Sequence, residues 1–225
     1  MSDPLQQTSE DDRPAGTDRH ALPLDRFNAF SDGVFAIAIT LLVLEITVPR
    51  EGVPLWPALR TQWPEFLGYY ISFAFIGGIW ITHSGVTKYM RRGDTVVYTL
   101  NLVLLLLVGL LPFATSLMVT HLTGADAQLA ALLYGVDLLL ASLVLSLLII
   151  YLAREPALLV DDLDEDILRR VTRQRWTSIG LNVLAVALAF FSAQVAVALY
   201  LVVSTVLLIV PLLGMHRHRQ QRRAG

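Results

Sequence analysis

Residues 26–48 read RFNAFSDGVFAIAITLLVLEITV, and this stretch decides the fold. A polar head, Arg26 to Asp32, leads into an almost unbroken apolar run that is closed by Pro49. Wound as a helix, about twenty apolar residues reach across the roughly 30 Å hydrocarbon core of a bilayer. A globular core helix has no need of such length.

The pattern recurs along the chain. A second apolar block follows at about 65–86, a third at 95–120 and a fourth at 127–153. The stretch from Trp176 to Leu213 is too long for one crossing and divides near Ser192–Gln194, predicting helices at 176–192 and 195–213. The expected class is therefore an all-α integral membrane protein with six transmembrane helices, the first at about 26–48. Pro112 lies inside the third block and predicts a kink there, which neighbouring helices in a membrane can accommodate. Proline-rich residues 49–64 form a connecting loop.

Composition agrees. Apolar residues make up 55% of the 225, charged residues 16%, against about a quarter charged in a soluble domain. There is no cysteine, which excludes disulfides and thiolate metal sites. Residues 1–24 are polar, acidic and proline-containing, the composition of a disordered tail rather than a signal peptide. Residues 215–225 form a basic tail, which leaves 25–214 as the membrane domain.

Lys and Arg concentrate in alternate connectors: Lys88, Arg91 and Arg92 in the second, Arg154, Arg169, Arg170, Arg173 and Arg175 in the fourth. The first has only Arg50 and Arg60, and the third has none. The positive-inside rule then places both termini in the cytosol, consistent with an even number of crossings. The fourth connector, EPALLVDDLDEDILRRVTRQRW, reads as a helix lying along the membrane surface. Its acids lead and its arginines trail, with Glu165–Arg169 and Asp166–Arg170 at favourable i,i+4 spacing.

Ionisable residues at membrane depth need partners, because their desolvation is costly. Asp32 lies two turns into the first helix, and Arg26, Asn28 and Asp32 do not all share one face of it. Trp80 and His83, three apart in the second block, and Asn101, two turns into the third, stand at matching depth. An indole N–H, an imidazole and an amide can satisfy a carboxylate and a serine hydroxyl. The same groups fit a purely structural role, holding helices together through buried hydrogen bonds, or a proton relay. Two such ligands do not make a metal site, and no metal or cofactor is expected. Glu45 sits at the outer end of the first helix, where it reaches water or a pore mouth. Asp137 lies near the middle of the fourth block, with Asn182 and Gln194 as candidate partners. No TVGYG-like filter, arginine ladder, Walker A loop, HExxH or GxSxG is present. Neither an enzyme nor a nucleic-acid binder is expected.

Arg26-Phe27-Asn28-Ala29-Phe30-Ser31-Asp32, followed by GVFAIAITLLVLEI, resembles the RxxxFSD signature of the transmembrane protein 175 family of potassium channels, found in bacteria, archaea and animal lysosomes. Trp80, His83 and Asn101 resemble that motif's partners. One copy of the signature implies the single-repeat form, which assembles as a homotetramer in the cell membrane. The resemblance implies that the first helix lines a central pore, with Ile37 as the narrowest hydrophobic ring. Thr40, Leu41 and Leu44 continue its stripe at i+3, i+4 and i+7. Potassium is then the permeant ion, weakly preferred over sodium, with Arg26, Phe30, Ser31, Asp32, Trp80, His83 and Asn101 as a structural clasp. A proton-coupled secondary transporter using Asp32, His83 and Asp137 is the alternative, and a non-conducting scaffold a third.

Overall fold

The computed structural model describes residues 24–160 and 165–224, with side chains placed outside 165–172, 174 and 211–224. Among the described residues there are seven α-helices and no β-sheet: α1 Leu24–Leu41, α2 Leu55–Thr61, α3 Trp63–Thr87, α4 Thr95–His121, α5 Ala127–Arg154, α6 Glu165–Ala189 and α7 Ala193–Ala224. Five are long and apolar enough to cross a membrane: α1 with its extension to Glu45, α3, α4, α5 and the Ala193–Val210 part of α7. The apolar part of α6, Arg175–Ala189, is shorter. The sixth expected crossing therefore exists as a helix, α6, 25 residues long.

Most helix ends follow local chemistry. Asp94 caps α4, its Oδ1 accepting from the Val97 N–H at 2.9 Å. Its Oδ2 accepts from the Tyr151 hydroxyl, so one carboxylate ties the start of α4 to the end of α5. The α6–α7 turn carries neither glycine nor proline. Ser192 closes it instead, its carbonyl accepting from Ala196 N–H at 3.1 Å and its Oγ lying 3.4 Å from Val195 N.

Three expectations are corrected. The first connector is not wholly loop: Pro54 precedes a short helix, α2, and Pro57 sits in its first turn, where a missing N–H costs nothing. The fourth connector is not a separate surface helix, because residues 165–189 wind continuously as α6. Its acidic residues 161–164 and the paired side chains Glu165, Asp166, Arg169 and Arg170 lie outside the described residues or side chains. The basic tail continues α7 as helix through Ala224. Residues 1–23, nearly all of the expected N-terminal tail, also lie outside the described residues.

The core is apolar and runs through α1, α3, α4, α5 and α7, with Phe35, Leu42, Phe75, Leu104, Leu138 and Tyr200 sealed inside. A buried hydroxyl cluster rivets three helices: Ser72 Oγ of α3 lies 2.7 Å from Thr115 Oγ1 of α4 and 2.9 Å from the Tyr134 hydroxyl of α5. Thr115 in turn donates to the Leu111 carbonyl at 2.7 Å. At the arginine-rich end, the α3–α4 loop and the segment after α5 pair as a short backbone bridge. Arg91 N donates to the Leu158 carbonyl at 2.8 Å, and Val160 N donates to the Tyr89 carbonyl at 3.0 Å.

Candidate functional site

The α1 helix has two faces. Phe27, Ser31, Phe35, Ala38 and Leu42 recur at helical spacing and are buried against α3 and α4. The opposite stripe is bare within the single chain: Ile37 is 61% exposed and Leu44 73%, with Thr40 and Leu41 exposed between them. Only 28% of the α1 apolar stretch is buried within the chain, against 50% for each of α3, α4 and α5. Residues 42–45 tighten into a 3₁₀ turn, which rotates Leu44 slightly but leaves it on the exposed side.

Thr40 Oγ1 donates to the Ile37 carbonyl at 2.9 Å. Its proton is thereby committed to the backbone, and its lone pairs remain free to face an approaching cation.

The polar head of α1 divides in two. Inside, a directed chain of hydrogen bonds runs from His83 to the backbone. The Ser31 hydroxyl donates to the Phe27 carbonyl at 2.9 Å, and its oxygen accepts from Asn101 Nδ2 at 2.9 Å. Asn101 Oδ1 lies 2.8 Å from His83 Nε2, which must therefore carry the proton. Ser31, His83 and Asn101 are all but completely buried, and the imidazole sits between the Phe27 and Phe35 rings. Because every donor points the same way and the chain ends on a carbonyl, this arrangement is a fixed strut.

Outside, Trp80 Nε1 donates to Asp32 Oδ1 at 2.8 Å. Both residues are exposed within the single chain, Trp80 at 42%. Phe30 is 57% exposed on the same helix end. Arg26 is exposed, and no hydrogen bond or ion pair joins it to another described residue. The expected clasp is thus a buried strut, Ser31–Asn101–His83, beside a surface pair, Asp32–Trp80. Arg26 and Phe30 join neither through a hydrogen bond.

Asp137 is 5% exposed and both carboxyl oxygens lack a partner. The expected pairing fails, because Asn182 is also buried with neither amide atom bonded, and Gln194 Oε1 lies 3.2 Å from Ser192 Oγ. At the outer end of α1, Gln62 Nε2 donates to the Thr47 carbonyl at 2.8 Å and to its hydroxyl at 2.9 Å, anchoring the chain beyond Glu45. Two polar groupings had no clear signal in the sequence. The Ser72–Thr115–Tyr134 cluster comes from residues far apart in the chain, and Arg175, counted above as a connector charge, is 3% exposed between α5 and α6.

The family model described as Endosomal/lysosomal potassium channel TMEM175 matches residues 26–112, from the polar head of α1 through the strut to Pro112. A potassium channel of Streptomyces collinus is 39% identical over 178 residues, covering 77% of this chain and 85% of that one. A potassium channel of Chamaesiphon minutus is 37% identical over 183 residues, covering 80% of this chain and 90% of that one. The fold superposes on the crystal structure of a lysosomal potassium-selective channel TMEM175 homolog from Chamaesiphon minutus with a TM-score of 0.75. That match has 33% identity and spans 84% of this chain and 97% of the other. These relatives are matched over 85% to 97% of their own length, and the chain belongs to the TMEM175 channel family.

Proposed function

We propose that this chain forms a potassium channel whose pore is lined by α1 from each subunit of a homotetramer. The observation that carries the reading is the bare Ile37–Thr40–Leu41–Leu44 stripe, set opposite the stripe that packs α1 into its own chain. Such a stripe on a lipid-facing helix needs no explanation. On a helix of a channel family, with a polar strut fixing its orientation, it fits the wall of an axial pathway.

Ile37 side chains around an axis form a dry constriction that conducts only when it wets. Thr40 adds a ring of hydroxyl oxygens whose lone pairs replace part of an ion's hydration shell. Such a lining has no carbonyl cage, so its preference for potassium over sodium is weak. The Ser31–Asn101–His83 strut sets the rotation of α1, and Asp32–Trp80 lies at the seam between subunits. Clustering of arginines at alternate connectors supports a reading in which both termini lie in the cytosol, and the channel acts in the cell membrane.

Flux from liposomes under opposed potassium and sodium gradients tests this. The channel reading expects fast, non-saturating potassium efflux that does not need a proton gradient. A proton-coupled carrier remains the second reading, because Asp137 is a buried carboxyl with no partner. Saturable, proton-driven uptake abolished by Asp137→Asn would establish the carrier.

A further inference from the structure

The head of α1 has three flanks. Phe27 and Ser31 are buried against α3 and α4. Arg26 and Phe30, at i,i+4, form a second flank, and both are exposed, Phe30 at 57%. Asp25 and Asp32, at i,i+7, form a third, also exposed. Trp80 of α3 stands beside this third flank, 42% exposed, with its indole N–H donated to Asp32. One side of the head is thus basic and aromatic, and the other is acidic with an indole face.

The acidic flank does not suit lipid. Asp32 stands two turns into a spanning helix, where an exposed carboxylate is costly unless protein or water covers it. Its indole partner satisfies one oxygen only. Whatever covers it must reach the depth of residues 30–32 from outside the chain, and the opposite flank of a second copy does so. In a symmetric ring, equal residues lie at equal heights. Phe30 of one copy then comes level with Asp32 and Trp80 of the next, and Arg26 level with Asp25. Arg26 and Asp25 diverge by about 100° on the helix, close to the right angle at which a helix in a four-membered ring meets its two neighbours. Ala29, Gly33 and Ala36 are exposed between the two flanks, and residues this small let helices approach closely. Thr40 also falls between them, which turns it toward the axis.

We propose that the α1 heads join neighbouring subunits in a head-to-tail contact. Phe30 of one chain packs on the partner subunit's Trp80, whose indole is held in place by its own Asp32, and Arg26 pairs with the partner subunit's Asp25. The contact rests on the ring assembly proposed above and names the surfaces that close it. Ser31 turns inward and fixes α1 within its chain, while Arg26, Phe30 and Asp32 of the same signature turn outward to the next copy. Two different flanks meet at each junction, so the contact is heterologous and closes only as a ring.

Co-expression of two charge-reversed full-length chains with different affinity tags tests the pairing, read by native mass spectrometry. Asp25→Arg sets two arginines side by side, and Arg26→Asp sets two aspartates. Both positions are exposed, so helix content by circular dichroism is expected to be unchanged. Each variant alone places like charges at every junction, and its tetramer fraction is expected to fall by about fivefold or more. Co-expressed, the two chains alternate round the ring, every junction regains an opposite pair, and tetramers carrying both tags return to the wild-type level. A loss that co-expression does not relieve would place the partner of Arg26 in its own chain, residues 1–23 included, and overturns the charge pair. Undiminished tetramers of both single variants overturn it as well. Phe30→Ala and Trp80→Ala should each weaken assembly, and together by less than the sum of their separate effects. Additive effects overturn the aromatic contact. A wild type that never forms tetramers refutes the ring itself, whereas wild-type tetramers that ignore these substitutions refute this contact alone.

Discussion

Ser31 and Asp32 are consecutive, yet they serve different surroundings. Ser31 is fully buried and bonded to Asn101, whereas Asp32 is exposed and bonded to Trp80. A step of about 100° per residue on a helix separates the two side chains, so one anchors α1 within the chain and the other faces outward. The signature thus does two jobs with adjacent residues.

Asn101 is the joint of the inner strut, accepting from His83 and donating to Ser31. Asn101→Leu keeps its approximate size and strands a buried imidazole N–H. The expected cost is about 1–3 kcal/mol, the usual penalty for an unsatisfied buried donor. Thermal unfolding of the purified protein should show a lowered midpoint, and an unchanged one would remove the strut's structural role.

Asp32→Ala should act differently. The Trp80 indole it releases is 42% exposed within one chain and can turn to water. Helix content by circular dichroism should therefore be retained while light scattering shows a smaller oligomeric fraction. A full-sized assembly with altered ion preference would instead place Asp32 in the conduction path.

The order of the long helices was legible because hydrophobic run length encodes it locally, but Pro49 did not mark the end of the first helix, which stops at Leu41 and continues as a 3₁₀ turn only to Glu45, short of the expected 48. That Trp80, His83 and Asn101 stand at the depth of Ser31 and Asp32 was legible from their positions along adjacent helices, but which group bonds to which was not. Sequence spacing did not reveal that the two pairings separate into a buried and an exposed part, since that depends on how α1 is rotated against α3 and α4. The surface-helix reading of the fourth connector failed for a related reason. Charge marks where a helix leaves the apolar phase, but no residue between Glu165 and Trp176 breaks the winding. Arg175 was read as solvated because arginine usually is, and only the α5–α6 contact reveals its burial.

Close packing of α3 on α7 rests on Gly78. A Cβ built there falls 2.8 Å from the backbone carbon and oxygen of Leu207, so the helices must part to admit it. Gly78→Ala should destabilise by about 1–3 kcal/mol, as overpacking does. Gly109→Ala, where nothing lies within 4 Å, should be neutral or stabilising by up to about 1 kcal/mol through helix propensity. Equal unfolding midpoints for the two variants would contradict the close crossing.

Thr40→Val preserves shape and removes the oxygen whose lone pairs are left free by the bond to Ile37. If that oxygen faces permeating ions, the reversal potential under mixed gradients should shift away from potassium with the fold unchanged. An unaltered reversal potential would take Thr40 out of the pathway.

Single-channel recording in planar bilayers, comparing the wild type with Ile37→Asn under opposed potassium and sodium gradients, tests the α1-lined pore most directly. Discrete steps reversing toward the potassium potential are expected, with a larger unitary current once asparagine wets the constriction. Identical unitary currents in the two proteins would move the constriction away from α1, and the absence of steps in both would contradict the channel itself.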